Sequence, residues 1–233
     1  MSTQTFTIQD YRINIQGDPL VFYPSPHGTH GLGKNIKVKK GESVLDIGTG
    51  TGVLAILAAK MGGKVLAVDI LKKAIECAKQ NMLLNKVNVD IRQSNLFQKV
   101  PRKKFDVIIA NVPQELLSPK IIKSFKKEVV IGMYGQGDGS FLLKRVLSQA
   151  KEFMKPTSRL YVVVYTMSGW RKSLRFIFKN YDAKLLDFYS GKVKDFVYKD
   201  LAWYKNKPEI GIYDKNKKCW ADLFVFELKI KSL

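Results

Sequence analysis

Short runs of apolar residues alternate along this chain with segments in which apolar residues recur every three or four positions. Apolar runs of five or six residues indicate strands that are covered on both faces of a sheet, and the longer spacing indicates amphipathic helices. Strands are predicted over residues 43–47, 64–69, 89–93, 105–110, 160–165, 183–189 and 223–230. Helices are predicted over residues 52–61, 71–85, 117–125, 140–154 and 169–180.

The order of these elements predicts one compact α/β domain. Strands that alternate with helices build a mostly parallel sheet with helices on both faces. Residues 223–230 alternate inward and outward positions, which favours a final antiparallel strand at the edge of the sheet. We therefore expect a doubly wound, Rossmann-like sheet of seven strands whose last strand is antiparallel. Residues 44–233 form this domain, and residues 1–43 form a short segment that packs on it.

Four segments fall outside the regular pattern. Residues 6–15 alternate like a short strand or hairpin, whereas the prolines and glycines of residues 21–33 favour a loop. Residues 129–132 indicate a short strand or a turn. Residues 196–220 predict a long irregular insertion, which we expect to face the substrate.

Composition excludes several classes of protein. Of the 233 residues, 45% are hydrophobic, which is typical of a globular chain. The sequence has no stretch of eighteen apolar residues, and its start lacks a basic region followed by an apolar one, so we expect neither a membrane span nor secretion. The two cysteines, Cys77 and Cys219, lack C-x-x-C spacing and favour a reduced, cytoplasmic compartment. A monomer or a small homo-oligomer is expected.

The net charge of +20 raises the possibility of a polyanionic partner such as RNA. Only seven of the 40 basic residues are arginine, however, and arginine makes the forked contacts to phosphates and guanines. The charge alone therefore leaves open both an RNA-binding surface and an ordinary lysine-rich surface.

Candidate chemistry begins at a glycine turn that follows the first predicted sheet strand. Gly48, Gly50 and Gly52 let the backbone turn sharply beside a ligand, and Asp69 ends the next strand, where a carboxylate can bind two ribose hydroxyls. The spacing differs from G-x-G-x-x-G, so no pyrophosphate is expected, and a nucleoside with a charged amino-acid tail fits better. A ligand-free turn and an NAD site with an irregular loop are the alternatives.

The segments Asp46-Ile-Gly-Thr-Gly-Thr-Gly52 and Ala67-Val-Asp-Ile70 resemble the nucleotide motifs of class I S-adenosylmethionine-dependent methyltransferases. The resemblance implies S-adenosylmethionine as the cofactor, with Asp46 toward the methionine ammonium and Asp69 on the ribose. Asn95 is expected near the adenine, where Phe97 is either a wall of the site or part of the core. The predicted cofactor-binding residues are Asp46, Gly48, Thr49, Gly50, Gly52, Asp69, Ile70, Asn95, Leu96 and Asn111.

The fourth predicted strand is followed by Asn111-Val112-Pro113-Gln114. This run resembles the N-P-P-Y motif of methyltransferases that modify amide or exocyclic amine nitrogens, including the release-factor glutamine methyltransferases. The segment from Gly135 to Ser140, with the helix after it, resembles the same group. The resemblance implies catalytic roles for Asn111 and Pro113, although the run is also compatible with a simple turn.

Two departures from that motif bear on the acceptor. Val112 replaces a proline, and Gln114 replaces the aromatic that would stack on a planar acceptor. Tyr23, Tyr134 and Trp170 are candidates to supply the missing ring.

The only two histidines lie in Pro26-His27-Gly28-Thr29-His30-Gly31. This run resembles the loop that precedes the nucleotide domain in ribosomal-protein lysine methyltransferases, which implies a cover over the donor and a wall of the acceptor pocket. A histidine pair without a third ligand nearby does not predict a metal site. The predicted substrate-binding residues are His27, Thr29, His30 and Gln114.

Together these motifs predict a methyltransferase that acts on a planar nitrogen of RNA or of a protein of the translation apparatus. A small-molecule methyltransferase is one alternative, because the aromatic-rich C-terminal part of the chain can form a custom pocket. A non-catalytic RNA-binding or scaffold protein that keeps the cofactor site is the other.

Overall fold

The computed structural model describes residues 3–231, so residues 1, 2, 232 and 233, at the outer ends of the two predicted segments, lie outside the described residues. The strands are β1 (Thr3–Ile8), β2 (Tyr11–Gln16), β3 (Ser43–Ile47), β4 (Lys64–Asp69), β5 (Asp90–Gln93), β6 (Phe105–Ala110), β7 (Met154–Tyr165), β8 (Tyr181–Lys192), β9 (Ile212–Lys215) and β10 (Lys218–Ile230).

The helices are α1 (Gly28–Asn35), α2 (Val53–Lys60), α3 (Lys72–Leu84), α4 (Pro119–Ser124), α5 (Lys127–Met133), α6 (Phe141–Ala150), α7 (Trp170–Asn180), α8 (Asp195–Tyr198) and α9 (Leu201–Lys205). A short 3-10 turn at Lys151–Phe153 extends α6. No described helix is long and apolar enough to cross a membrane.

The main sheet has the order β5-β4-β3-β6-β7-β10-β8. Strands β5, β4, β3, β6 and β7 are parallel, and β10 is antiparallel to both of its neighbours. This arrangement confirms the expected Rossmann-like fold. The carboxyl ends of the parallel strands meet at one edge, where open α/β sheets bind their ligands.

The expected position of the last strand at the edge of the sheet is wrong. Strand β10 lies between β7 and β8, and the short β9 adds an eighth strand beside β10. Alternation along a strand reports how its two faces are covered, and it carries no information on whether one neighbour or two pair with its backbone.

Three less regular segments also differ from expectation, while the hairpin β1–β2 is confirmed. The predicted loop over residues 21–33 is confirmed for residues 21–27, whereas residues 28–33 lie in helix α1, whose Leu32 is fully buried. Gly28 N in the first turn of α1 donates to Ser25 Oγ at 2.9 Å. Residues 129–132 lie in α5, and the insertion over residues 196–220 contains parts of α8, all of α9 and β9. In each case tertiary packing overrides a weak local signal.

Two apolar layers cover the faces of the sheet. One contains α6 and α7 with residues such as Phe105 and Leu147, and the other contains α2, α3 and the hairpin. The hairpin is bound to α3 through two amides: Asn81 Oδ1 accepts from Gln16 N at 2.8 Å, and Asn85 Oδ1 accepts from Asn14 N at 2.9 Å. A third cluster lies under α4, α5, α8 and α9 and supports one side of the ligand-binding edge.

Candidate functional site

The turn after β3 has backbone angles that residues other than glycine rarely adopt. Gly48, Gly50 and Gly52 have φ of 73°, 55° and 88°, in the left-handed region where glycine is favoured. A Cβ on Gly52 would lie 3.2 Å from that of Ala78 in α3, so the turn is also closely packed. The turn thus presents backbone atoms to the open edge of the sheet.

Asp69, at the end of β4, binds this turn from the side. One carboxylate oxygen accepts from Gly50 N at 2.9 Å and the other from Leu71 N at 2.9 Å. Burial raises the pKa of Asp69, and these backbone hydrogen bonds oppose the rise. Each oxygen retains a lone pair, so the geometry suits a ligand with two neighbouring hydroxyls.

Asp46 lies beneath the turn and is almost fully buried. Thr49 Oγ1 donates to its carboxylate at 2.7 Å. Burial raises the pKa of Asp46 to about 7, the Thr49 hydrogen bond lowers it, and the charge of Asp69 raises it further. Thr49 lines the cavity above and separates Asp46 from it. A cation bound there would favour the charged form of this carboxyl.

A cavity of about 400 Å³ opens above the turn at the carboxyl edge of the sheet. Its volume lies within the usual range of small-molecule sites. The predicted cofactor residues Gly48, Thr49, Gly50, Asp69, Ile70, Asn95, Leu96 and Asn111 line it. Gly52 supports the turn from behind, at the start of α2.

A second cavity of about 310 Å³ lies on the other side of Asn111. Phe22, Asn111, Val112, Pro113 and Gly132 line both cavities and therefore form the wall between them. Asn111 Nδ2 donates to Thr29 Oγ1 at 3.2 Å, so Oδ1 is the end of this amide available to a ligand. The predicted catalytic residues Asn111 and Pro113 thus lie where two ligands would meet.

The predicted substrate-binding residues are placed differently from one another. His27 lines the second cavity and Thr29 the first, whereas His30 lines neither and packs against Phe6, with ring centroids 5.6 Å apart. Gln114 is buried, and its amide donates to Val163 O at 2.9 Å and accepts from Tyr165 N at 3.2 Å. Both polar ends of Gln114 are therefore engaged with β7.

The aromatic rings beside the site include one that the sequence motifs did not indicate. Tyr134 lines the first cavity, while Tyr23 packs against Phe6 and Trp170 stacks on Phe224. Phe22 lines both cavities, and its only sequence signal is its position in an aromatic pair before the histidine loop.

Phe97, which the sequence left as either a wall of the site or core, belongs to the core. It stacks on Phe153 with ring centroids 4.7 Å apart. Leu96, its neighbour, lines the first cavity in its place.

The second cavity also contains charged groups that no motif indicated. Glu115 is buried and forms an ion pair with Lys194, whose ammonium lies 4.1 Å from the centroid of the Phe22 ring. Within residues 3–231, no group of three or more His, Cys, Asp or Glu side chains is placed to hold a metal ion.

Comparisons with known proteins show which family this chain resembles. The sequence model of the family described as Ribosomal protein L11 methyltransferase (PrmA) matches residues 29–150. The Ribosomal protein L11 methyltransferase of Caldicellulosiruptor saccharolyticus is 36% identical over 134 residues, which cover 57% of this chain and 43% of that protein. The chain thus spans less than half the length of that relative.

A second relative is covered over most of its length. The Putative protein N5-glutamine methyltransferase of Methanocaldococcus jannaschii is 31% identical over 163 residues, which cover 70% of this chain and 81% of that protein. Among solved structures, a ribosomal protein L11 methylase from Lactobacillus delbrueckii subsp. bulgaricus has a TM-score of 0.54 at 19% identity and covers 92% of this chain and 85% of its own. At this identity the likeness shows the fold.

Proposed function

For this chain, which belongs to the ribosomal protein L11 methyltransferase (PrmA) family of class I S-adenosylmethionine-dependent methyltransferases, we propose a planar amide or exocyclic amine nitrogen as the methyl acceptor. The similarity to an N5-glutamine methyltransferase and the motif at Asn111 support this nitrogen. We propose that it lies on RNA or on a protein of the translation apparatus. The names of the relatives support this apparatus, and the net charge of +20 is compatible with an RNA or with an RNA-bound protein.

Several features of the first cavity support S-adenosylmethionine as its ligand. When bound, this cofactor supplies a methyl group that its sulfonium already activates. Asp69 would accept hydrogen bonds from the two ribose hydroxyls, and the glycine turn admits the ligand close to the backbone. Thr49 and the Asp46 carboxyl beneath it would face the ammonium, while Asn95 and Leu96 would contact the adenine.

The observation that carries the proposal is the wall shared by the two cavities. Asn111, Val112 and Pro113 contact both spaces, so an acceptor in the second cavity lies beside a donor in the first. Holding the two reactants in this way is the main contribution that such a transfer needs. Asn111 Oδ1 can accept an N–H of the acceptor, which localises the nitrogen lone pair toward the methyl group. Thr29 orients that amide.

The proposal is tested by incubating the protein with radiolabelled S-adenosylmethionine and a fractionated cell extract. We expect label in ribosomal protein, rRNA or tRNA fractions, and we expect Asn111→Ala to reduce incorporation at least about 100-fold because it removes a group that acts in the transition state. The cofactor Kd of this variant should stay within about threefold, since most of the first cavity is unchanged.

Three other outcomes would contradict the proposal in distinguishable ways. Label confined to a low-molecular-weight fraction indicates a small-molecule methyltransferase. Cofactor binding without incorporation into any fraction indicates a scaffold that retains the site. If the protein does not bind S-adenosylmethionine at all, the first cavity is not a donor site and the second is not its acceptor site.

A further inference from the structure

Glu115, which lines the second cavity, has a buried carboxylate oxygen without a hydrogen-bond partner among the described residues. Glu115 is only 7% exposed and lines this cavity. One of its oxygens pairs with Lys194, and the other, Oε2, finds no partner among residues 3–231. A buried oxygen left without a hydrogen-bond partner destabilises the fold, and more so when the group is charged. The position therefore points to a ligand that donates a hydrogen bond.

Glu115 is also held rigidly. Its backbone N–H donates to Met133 O at 3.1 Å, and its backbone oxygen accepts from Gly135 N at 3.0 Å. The preceding residue, Gln114, is fixed to β7 through both ends of its amide. The carboxylate therefore stands at a defined place relative to Asn111 on the same short segment, as a recognition group requires.

The two oxygens of this segment restrict the acceptor. In the proposed site Asn111 Oδ1 accepts from the amine that receives the methyl group, and a second N–H donor next to that amine would satisfy Glu115 Oε2. Guanine has this pattern, with the N1–H beside the exocyclic N2 amine. Adenine presents an N1 acceptor beside its amine, and a glutamine side chain presents its carbonyl oxygen, so both place an acceptor where the carboxylate would repel it.

A guanidinium group has the same two donors but carries a positive charge. Lys192 and Lys194 line the same cavity, and Glu115, the acidic residue that lines it, is already paired with one of them. A second cation would therefore meet net positive charge. A neutral base avoids this repulsion.

The rest of the cavity suits a nucleotide. Phe22, Tyr165 and Tyr189 offer ring surfaces for an aromatic base. Lys192 at the rim forms no salt bridge with a described residue. The ammonium of Lys218 lies close enough to lower the pKa of Lys192. Two cations therefore lie together where a phosphate would be favourable.

We propose that the acceptor is the N2 amine of a guanine in RNA, and that Glu115 selects it by accepting the guanine N1–H. This inference rests on the proposed function, because it takes the second cavity as the acceptor site.

The test compares the binding of three nucleotides in the presence of S-adenosylhomocysteine by isothermal titration. They are guanosine monophosphate, the monophosphate of 2-aminopurine riboside, which keeps the amine but has an acceptor at N1, and adenosine monophosphate. We expect the guanine nucleotide to bind about 10- to 100-fold more tightly than the other two, since the charged hydrogen bond is lost with them. This comparison uses the unaltered protein and does not depend on a variant that folds.

The matched variants are Glu115→Gln and Glu42→Gln. Glu42 forms a comparable half-buried ion pair with Arg159 just before β3, at the opposite edge of the sheet. Glu115→Gln should abolish or reverse the preference for guanine, because an amide N–H can donate to an N1 acceptor, whereas Glu42→Gln should keep it. A purely structural role for Glu115 would weaken all three nucleotides equally.

Specific results would overturn the inference. These are equal affinities for the three nucleotides, guanine preference that survives in Glu115→Gln, or no measurable binding of guanosine monophosphate at millimolar concentration. Methylation of a glutamine or arginine peptide in place of RNA would overturn it as well. A glutamine product that is lost in Asn111→Ala would still leave the proposed function intact, so the two failures are distinguishable.

Discussion

The two cavities share a wall but are constructed in different ways. The first is lined largely by short segments that directly follow β3, β4, β5 and β6, so neighbouring strand ends bring its polar groups together. The second collects residues as distant in the chain as Phe22, Glu115, Tyr165, Lys194 and Leu223. The comparison teaches that the first cavity, the proposed donor side, depends on local motifs, while the second, the proposed acceptor side, depends on how loops and the antiparallel strands pack.

The largest expected effect is a loss of cofactor affinity in the first cavity. Asp69→Ala removes the carboxylate that binds the glycine turn and would bind the ribose, so the cofactor Kd should rise at least about 100-fold by isothermal titration. Asp90→Ala is the control, because Asp90 is exposed and its ion pair is with Arg92 on the same strand. Cofactor binding that survives in Asp69→Ala would break the assignment of the first cavity.

A smaller effect is expected at the wall itself. Phe22→Ala should raise the KM for the acceptor about tenfold, because a ring that stacks on a base contributes about 1–3 kcal/mol. The cofactor Kd should change no more than about threefold, since the glycine turn and Asp69 remain. Steady-state kinetics measure the KM and isothermal titration measures the cofactor Kd, and Phe178→Ala on the exposed face of α7 is the matched control. Equal increases in the KM for the acceptor and in the cofactor Kd would show that the cavities are not separate sites.

A more gradual effect, a pH dependence, is expected in the first cavity alone. Burial raises the pKa of Asp46 to about 7, so this carboxyl is largely protonated below neutral pH in the free protein. A cofactor ammonium favours the ionised form, and the affinity should therefore increase by up to about tenfold per pH unit as the pH rises toward 7. Titrations at pH 5.5, 6.5 and 8.0 measure this slope, which Asp46→Asn should remove.

The same group sets the sign of a stability change. The pKa of Asp46 is higher in the folded protein than its ordinary value of 3.8, so the folded state binds more protons. The free energy of unfolding of the cofactor-free protein should therefore fall as the pH rises from about 4 to about 7, by up to about 1.4 kcal/mol per pH unit from this group. Urea unfolding of the wild type against Asp46→Asn isolates that contribution. A wild type without this additional fall would contradict the raised pKa.

The sequence predicted the parallel half of the sheet well for a physical reason. Strands buried on both faces are continuous apolar runs, and β3, β4 and β6 lie where the hydrophobic pattern placed them. The predictions for the segments that form helices α1 and α5 were wrong because these segments carry weak helical signals. Their helical form depends on packing against the hairpin or under the C-terminal loops.

By itself, the sequence determined the candidate donor site, the first cavity. A glycine turn between two apolar strands, with an acid ending the second, lies at the carboxyl edge of a parallel sheet, so the sequence alone predicted a site from Gly48 to Asp69. Only the tertiary structure decided the second cavity, the candidate acceptor site. Glu115, Lys194 and Phe22 have no motif and no common periodicity, and they meet because long-range packing brings three separate loops to the same wall.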